Sequence, residues 1–344
     1  MKRWLFSARL DLALFGGTAA ISLLLVLLGP QLGVGTESPE WSWIVGVLLV
    51  DVAHVWSTAF IVYLDPAERR RRPVVYAVVP VVALAIGIAL YACGEGTFWR
   101  AIAYLAVFHF IRQQFGWVMM YRARNGEHDR LGRWLDGATV YAATLYPLIV
   151  WHTQLPRRFA WMKEHDFVAG LPAWTATIAG WIYLALIVTY IARAVLLRSR
   201  AWGKHLVVAT TAACWYVGIV ATNSDYAFTV TNVFIHGVPY LALVYLYAKA
   251  ASRERESAGG ASAKLLARGL VMFLATLWMI AYVEELIWDR AIWHDRSYLF
   301  GGAVDVGVLA YVLVPLLAVP QLTHYILDGF LWRRRMNPRL GRLL

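Results

Sequence analysis

Four histidines lie in stretches otherwise built of apolar residues: His54 in "LLVDVAHVWSTAF", His109 in "AVFHFIRQQFGW", His236 in "TVTNVFIHGVPY" and His324 in "THYILDGFLW". Each has a polar companion three or four residues away, which on a helix puts both on one face. Asp51 and Thr58 flank His54, Gln113 follows His109, Asn232 precedes His236, and Gln321 and Asp328 flank His324. An ionisable side chain near a bilayer centre costs roughly 2.5–3.5 kcal/mol on insertion scales. Its recurrence on four separate segments therefore points to a shared polar centre. Four imidazoles with one or two carboxylates suit iron, zinc, copper or manganese. Asp51 and Asp328 would be ligands or the acceptors that fix an imidazole's tautomer, with Gln113, Asn232, Gln321 and Thr58 in support.

Neutral imidazoles with few carboxylates favour iron over zinc and an oxygenase-type reaction on a lipophilic small molecule. Hydrolysis by metal-bound water is the alternative within the same site. Asp51 and Asp328 are then also the candidate acid–base groups. Arg112 has two readings: a clamp for an anionic substrate group or lipid phosphate, or a structural cation that either snorkels to the cytoplasmic headgroups or pairs with Asp328 or Asp51. Three further readings use the same residues: a transporter or proton-coupled carrier, a bis-histidine haem protein, and a scaffold whose histidines only bond neighbouring helices. Haem fits poorly, because each segment supplies one histidine where cytochrome b-type helices supply two.

The elements that must position these residues follow from composition. Hydrophobic residues make up 60% of the 344 residues and charged ones 15%, with 17 tryptophans and 18 tyrosines, which excludes an ordinary soluble domain. Apolar runs long enough to cross a bilayer fall near 11–30, 42–64, 74–93, 98–121, 134–152, 174–195, 205–222, 227–248, 265–286 and 304–331. The expected fold is all-α: one integral membrane domain over 1–344, a transmembrane helix bundle of about ten spans. The basic opening segment reads as a first span and not as a cleaved leader. The connection 153–173 is expected to carry a short interfacial helix, and 250–264 to be a flexible loop. Glu284 and Glu285 are expected to be solvated, and "RRRR" at 69–72 and "RRR" at 333–335 to stop spans and meet anionic lipid.

With the N-terminus inside, 25 of the 32 lysines and arginines fall on the cytoplasmic side and 6 on the other. This asymmetry predicts a multi-pass protein of a bacterial inner membrane with both termini cytoplasmic. It also accounts for the net charge of +11 without nucleic acid as a partner. In this topology all four histidine-bearing spans run in one direction, and the histidines lie roughly 12–20 Å from the cytoplasmic ends. They can therefore share one layer. Two cysteines, Cys93 and Cys214, are too few for a thiolate site or a disulfide framework.

The segments "DVAHVWSTAFIVYLD", "FHFIRQQFGW" and "THYILDGFLWRRR" resemble a family of bacterial multi-pass membrane proteins; the resemblance covers these segments and implies no activity. More distantly, scattered intramembrane histidines are similar to those of the Brp/Blh-type carotene dioxygenases. That resemblance implies a histidine-bound non-haem iron and an apolar substrate, and it carries over no site residue. The integral-membrane desaturases are a poorer match, because their HxxxH and HxxHH clusters are absent.

Overall fold

The computed structural model describes residues 4–159, 163–254, 259–333, 336–337 and 339–343. Helix accounts for 79% of the chain, with no strand among the described residues. The described residues include ten long helices: α1 Ala8–Leu28, α2 Glu40–Ile61, α3 Pro73–Ala92, α4 Glu95–Asn125, α5 Arg130–Thr153, α6 Ala173–Leu196, α7 Trp202–Ala221, α8 Asp225–Ala251, α9 Leu270–Trp293 and α10 Gly307–Leu331. Eight of them, all but α4 and α5, are long and apolar enough to cross a bilayer. Large apolar side chains such as Leu196, Val271 and Val308 are more than four-fifths exposed, which is stable only against lipid. The chain is a membrane protein.

By internal contacts the chain forms two compact units, residues 1–46 with 102–239 and residues 47–101 with 240–344, whose boundaries fall inside α2, α4 and α8. In the first unit the core gathers around Trp151, whose ring meets Phe167 at 4.6 Å, Phe159 at 4.7 Å and Phe228 at 5.4 Å. The start of α1 is fixed by Asp11. Its carboxylate is fully buried and accepts from the amides of Leu5, Phe6 and Ser7 and from the Tyr121 hydroxyl of α4 at 2.6 Å. The Tyr121 ring passes so close to α7 that a Cβ on Gly203 would fall 2.2 Å from its Cε1. Gly203→Ala must therefore push Tyr121 off Asp11. Overpacking of this kind costs about 1–3 kcal/mol, expected as a lowered unfolding temperature in detergent micelles.

Helix α5 begins at Asp129, whose side chain accepts from the Gly132 amide at 2.7 Å. That bond, with Arg122 and Arg193 nearby, holds the Asp129 carboxyl below the ordinary range. Beneath it lies a buried ionic cluster. Arg122 pairs with Asp136, Glu127 and Asp129, and Lys204 of α7 pairs with Asp136 at 2.9 Å and with Glu127.

In the second unit Phe60 packs edge-on against Phe273 at 4.8 Å, and Gly87 of α3 lets Pro315 of α10 approach. The segment before α3 is tied to the chain's end. Arg339 bonds Asp65 at 3.1 Å and Glu254 at 2.8 Å, and Arg71 and Arg72 both donate to the Met336 carbonyl. Arg69 also donates to the Tyr63 carbonyl, so at least three of the four arginines at 69–72 make bonds within the protein. Residues 334 and 335 lie outside the described residues.

Other expectations also change. The described residues of 153–173 form turns and contain no interfacial helix beyond the ends of α5 and α6, and the end of the loop expected at 250–264 belongs to a short helix, Ala261–Leu266. Glu285 is buried, and Glu284 accepts from the Trp56 and Trp288 indoles. The expected span ended at 286, but α9 continues to Trp293, so the glutamates lie inside the helix, where indole donors stand in for water.

Several long helices contain wide turns with i→i+5 hydrogen bonding, among them Trp43–Val52 in α2, Tyr216–Ala221 in α7 and Thr229–Val233 in α8. Such turns occur frequently at functional sites. The α7 and α8 turns pack against each other at Gly218, where a Cβ would lie 2.1 Å from Thr231 Oγ1. Helix α10 breaks at Ala318, between Ala310–Leu317 and Val319–Leu331, just before Pro320. Proline at the second position of the new helix has no amide to lose there.

Candidate metal-binding clusters

Each unit contains two of the four histidines, and all four are buried. In the second unit, the wide turn of α2 ends beside Asp51, and the regular helix that follows presents His54. The second half of α10 presents His324. The two imidazole rings meet edge-on, with centroids 4.9 Å apart at 83°. His54 Nδ1 is 3.4 Å from Asp51 Oδ1. His324 Nδ1 is 2.8 Å from Thr58 Oγ1 and 3.8 Å from Asp328 Oδ1. His324 Nδ1 is taken by the Thr58 hydroxyl, so Nε2 is the nitrogen that ring would offer a metal, whereas the His54–Asp51 approach is an ion-pair distance and not a hydrogen bond.

Asp328 is itself held. The Tyr240 hydroxyl donates to its Oδ1 at 2.5 Å and the Trp332 indole donates to the same oxygen at 3.2 Å. The Tyr240 ring also stands edge-on to His54 at 5.6 Å and to His324 at 5.3 Å. Gln321 lies one shell away, donating to the Tyr325 hydroxyl at 2.7 Å.

In the first unit α4 presents His109 and α8 presents His236, with ring centroids 5.1 Å apart at 81°. Phe110 stacks on His236 at 3.6 Å, almost parallel, which fixes the plane of that imidazole. Gln113 donates to the His236 carbonyl at 2.7 Å. Asn232, in the wide turn, donates to Phe228 O and Thr231 Oγ1. The remaining oxygens of these two amides, Gln113 Oε1 and Asn232 Oδ1, are buried and have no hydrogen-bond partner among the described residues. A buried acceptor left unmet costs about 1–3 kcal/mol. Two of them on the helices that carry a histidine pair fit a site completed by a cation or a donor.

Arg112 is used locally: its guanidinium donates to the Tyr141 hydroxyl and lies over the Phe115 ring at 4.9 Å. Two of the other histidines sit in polar settings near helix ends. His205 bridges Tyr190 and Ser199, and His152 bonds Tyr104 and the Leu148 carbonyl.

Sequence reasoning missed Tyr240, Trp332 and Phe110. Trp332 follows Asp328 by four and Tyr240 follows His236 by four, so the spacing signal was there. Aromatic residues are too common in membrane helices for it to stand out. Tyr240→Phe is expected to lower stability by about 1.5–3 kcal/mol, the usual worth of a hydrogen bond to a charged group. Thermal unfolding in detergent checks it. No family model matches this chain, and neither does any curated protein or solved structure.

Proposed function

We propose that this chain is a metalloprotein of a bacterial inner membrane, with ten spans and both termini cytoplasmic, that carries out an oxygenase-type reaction on a lipophilic small molecule. The ligands are His54 and His324, with Asp51 and Asp328, and His109 and His236. The observation that carries this reading is the pairing itself: in each unit two buried imidazoles from different helices meet edge-on amid apolar residues. Helix bundles build metal sites in this way, from inward side chains on facing helices.

Iron is favoured over zinc by the imidazole-rich set. Bound there, iron supplies oxygen activation, whereas zinc would supply an activated water. The protein's own groups do the rest. Thr58 orients the His324 imidazole through Nδ1, and the Asp51 carboxylate stands 3.4 Å from His54 Nδ1, where its charge favours a cation. Asp328, held by Tyr240 and Trp332, keeps a proton-accepting oxygen beside His324. Phe110 stacked on His236 keeps water from one face of that ring. The substrate is apolar because the helices expose apolar side chains along their length.

Elemental analysis of the detergent-purified protein tests the reading. About one or two equivalents of iron or zinc per chain are expected, and the element separates oxygen chemistry from hydrolysis. A protein that stays metal-free after reconstitution with iron and with zinc would overturn it. The break in α10, six residues before His324, favours a second reading, a proton-coupled carrier, since transporters bind substrate at discontinuous helices. Proton-driven uptake into proteoliposomes by the metal-free protein would support that reading.

A further inference from the structure

At one end of α6 and α7 a cavity of about 300 Å³ opens among charged side chains, all within the first unit. Three carboxylates line it: Glu127, Asp129 and Asp136. They are matched by Arg122, Lys204 and Arg193, the last bonding Asp129 at 2.6 Å. Those charges cancel. Two more arginines, Arg198 and Arg200, come from the short connection between the spans and line the same cavity. Neither side chain has a hydrogen bond or ion pair among the described residues, and both are exposed. The cavity therefore carries two uncommitted positive charges over a neutralised floor. Its wall adds neutral hydrogen-bonding groups, the Tyr190 hydroxyl 2.7 Å from His205 Nδ1 and the Ser199 hydroxyl 2.9 Å from His205 Nε2.

The surroundings decide what anion belongs there. Arg198 and Arg200 sit just past the last turn of one span and just before the first turn of the next, at the level where a bilayer places its headgroups. Beside them Val195, Leu196, Leu197 and Trp202 are exposed, an apolar flank with an interfacial indole. A soluble phosphate would use only the arginines. A phospholipid would use both, with its phosphate on the two guanidinium forks, which match phosphate oxygens in pairs, and its acyl chains on the flank. The volume is at the low end for a ligand pocket and suits a headgroup.

We propose that this cavity binds the phosphate-bearing headgroup of a membrane phospholipid, held by Arg198 and Arg200. The inference is independent of the histidine clusters and stands whether or not they hold a metal.

Native mass spectrometry of the delipidated protein tests it, by titration with phosphatidylglycerol and with a phosphate-free glucosyl diacylglycerol of the same acyl chains. The wild type is expected to prefer phosphatidylglycerol. The double variant Arg198→Gln, Arg200→Gln is expected to lose about thirty-fold in phosphatidylglycerol affinity, given about 1 kcal/mol for each of the two basic residues near a membrane surface. Its affinity for the glycolipid should not change. Both side chains are exposed and unbonded, so the variant should unfold at the wild-type temperature, which is measured alongside. A second double variant, Arg9→Gln with Arg268→Gln, removes exposed arginines at other helix ends and should bind like the wild type. Equal losses in the two variants would overturn the proposal, as would no loss in the first. Displacement of the lipid by millimolar inorganic phosphate would overturn the lipid as occupant in favour of the free anion.

Discussion

Replacing His54 and His324 together by alanine is expected to strip metal from the purified protein, lowering affinity by well over the roughly 10–100-fold that loss of a supporting residue costs. The two rings face each other at 4.9 Å with Nδ1 turned to Asp51 and Thr58, so the substitution removes two donors and leaves the orienting groups behind. The parallel variant His109→Ala with His236→Ala removes the other pair, whose rings lie 5.1 Å apart. Elemental analysis reads both, with His128→Ala as a control at an exposed histidine between α4 and α5. Full metal content in both double variants would mean that the span histidines do not bind it. Loss in only one would assign the metal to that unit's pair. Near-ultraviolet circular dichroism of each variant separates lost ligands from lost structure.

The largest stability effect is expected at Arg122. Its side chain is almost fully enclosed and meets three carboxylates, of which Asp136 is equally buried. Removing one member of a buried ionic group leaves an uncompensated charge, and such changes cost about 3–5 kcal/mol. Arg122→Met should therefore destabilise the folded protein by that amount, read as a large fall in unfolding temperature. Adding Asp136→Asn to Arg122→Met should recover part of the loss, because it removes a stranded negative charge. A cluster that tolerated Arg122→Met unchanged would have to be solvated, contrary to its burial.

Much of the fold was legible because membrane helices are specified by composition. Each of the ten apolar runs falls on a helix, and the break in α10 lies at the prolines that mark it. Side-chain partners were less legible. A spacing of four identifies a helix face but not what that face meets. Thr58 was read as a companion of His54 on its own helix, yet it bonds His324. Gln113 was read beside His109 and bonds the backbone of His236. Glu284 and Glu285 were misjudged because the span was expected to end at 286, whereas α9 runs on to Trp293 and Trp56 supplies a donor to Glu284. The contact between Arg339 and Asp65 joins positions at opposite ends of the second unit's sequence, and no local pattern carries that information.

The wide turn Thr229–Val233, just ahead of His236, has a consequence for chain length. A wide turn holds one residue more than regular helical geometry needs at that place. Deleting a residue inside it lets the turn close to the ordinary pattern, and everything beyond keeps its orientation. The same deletion three turns later, in the regular part of α8, would swing all that follows to a different side. The helix thus contains one point at which it can be shortened without re-aiming His236, and that point lies on the doorstep of the residue whose aim matters most.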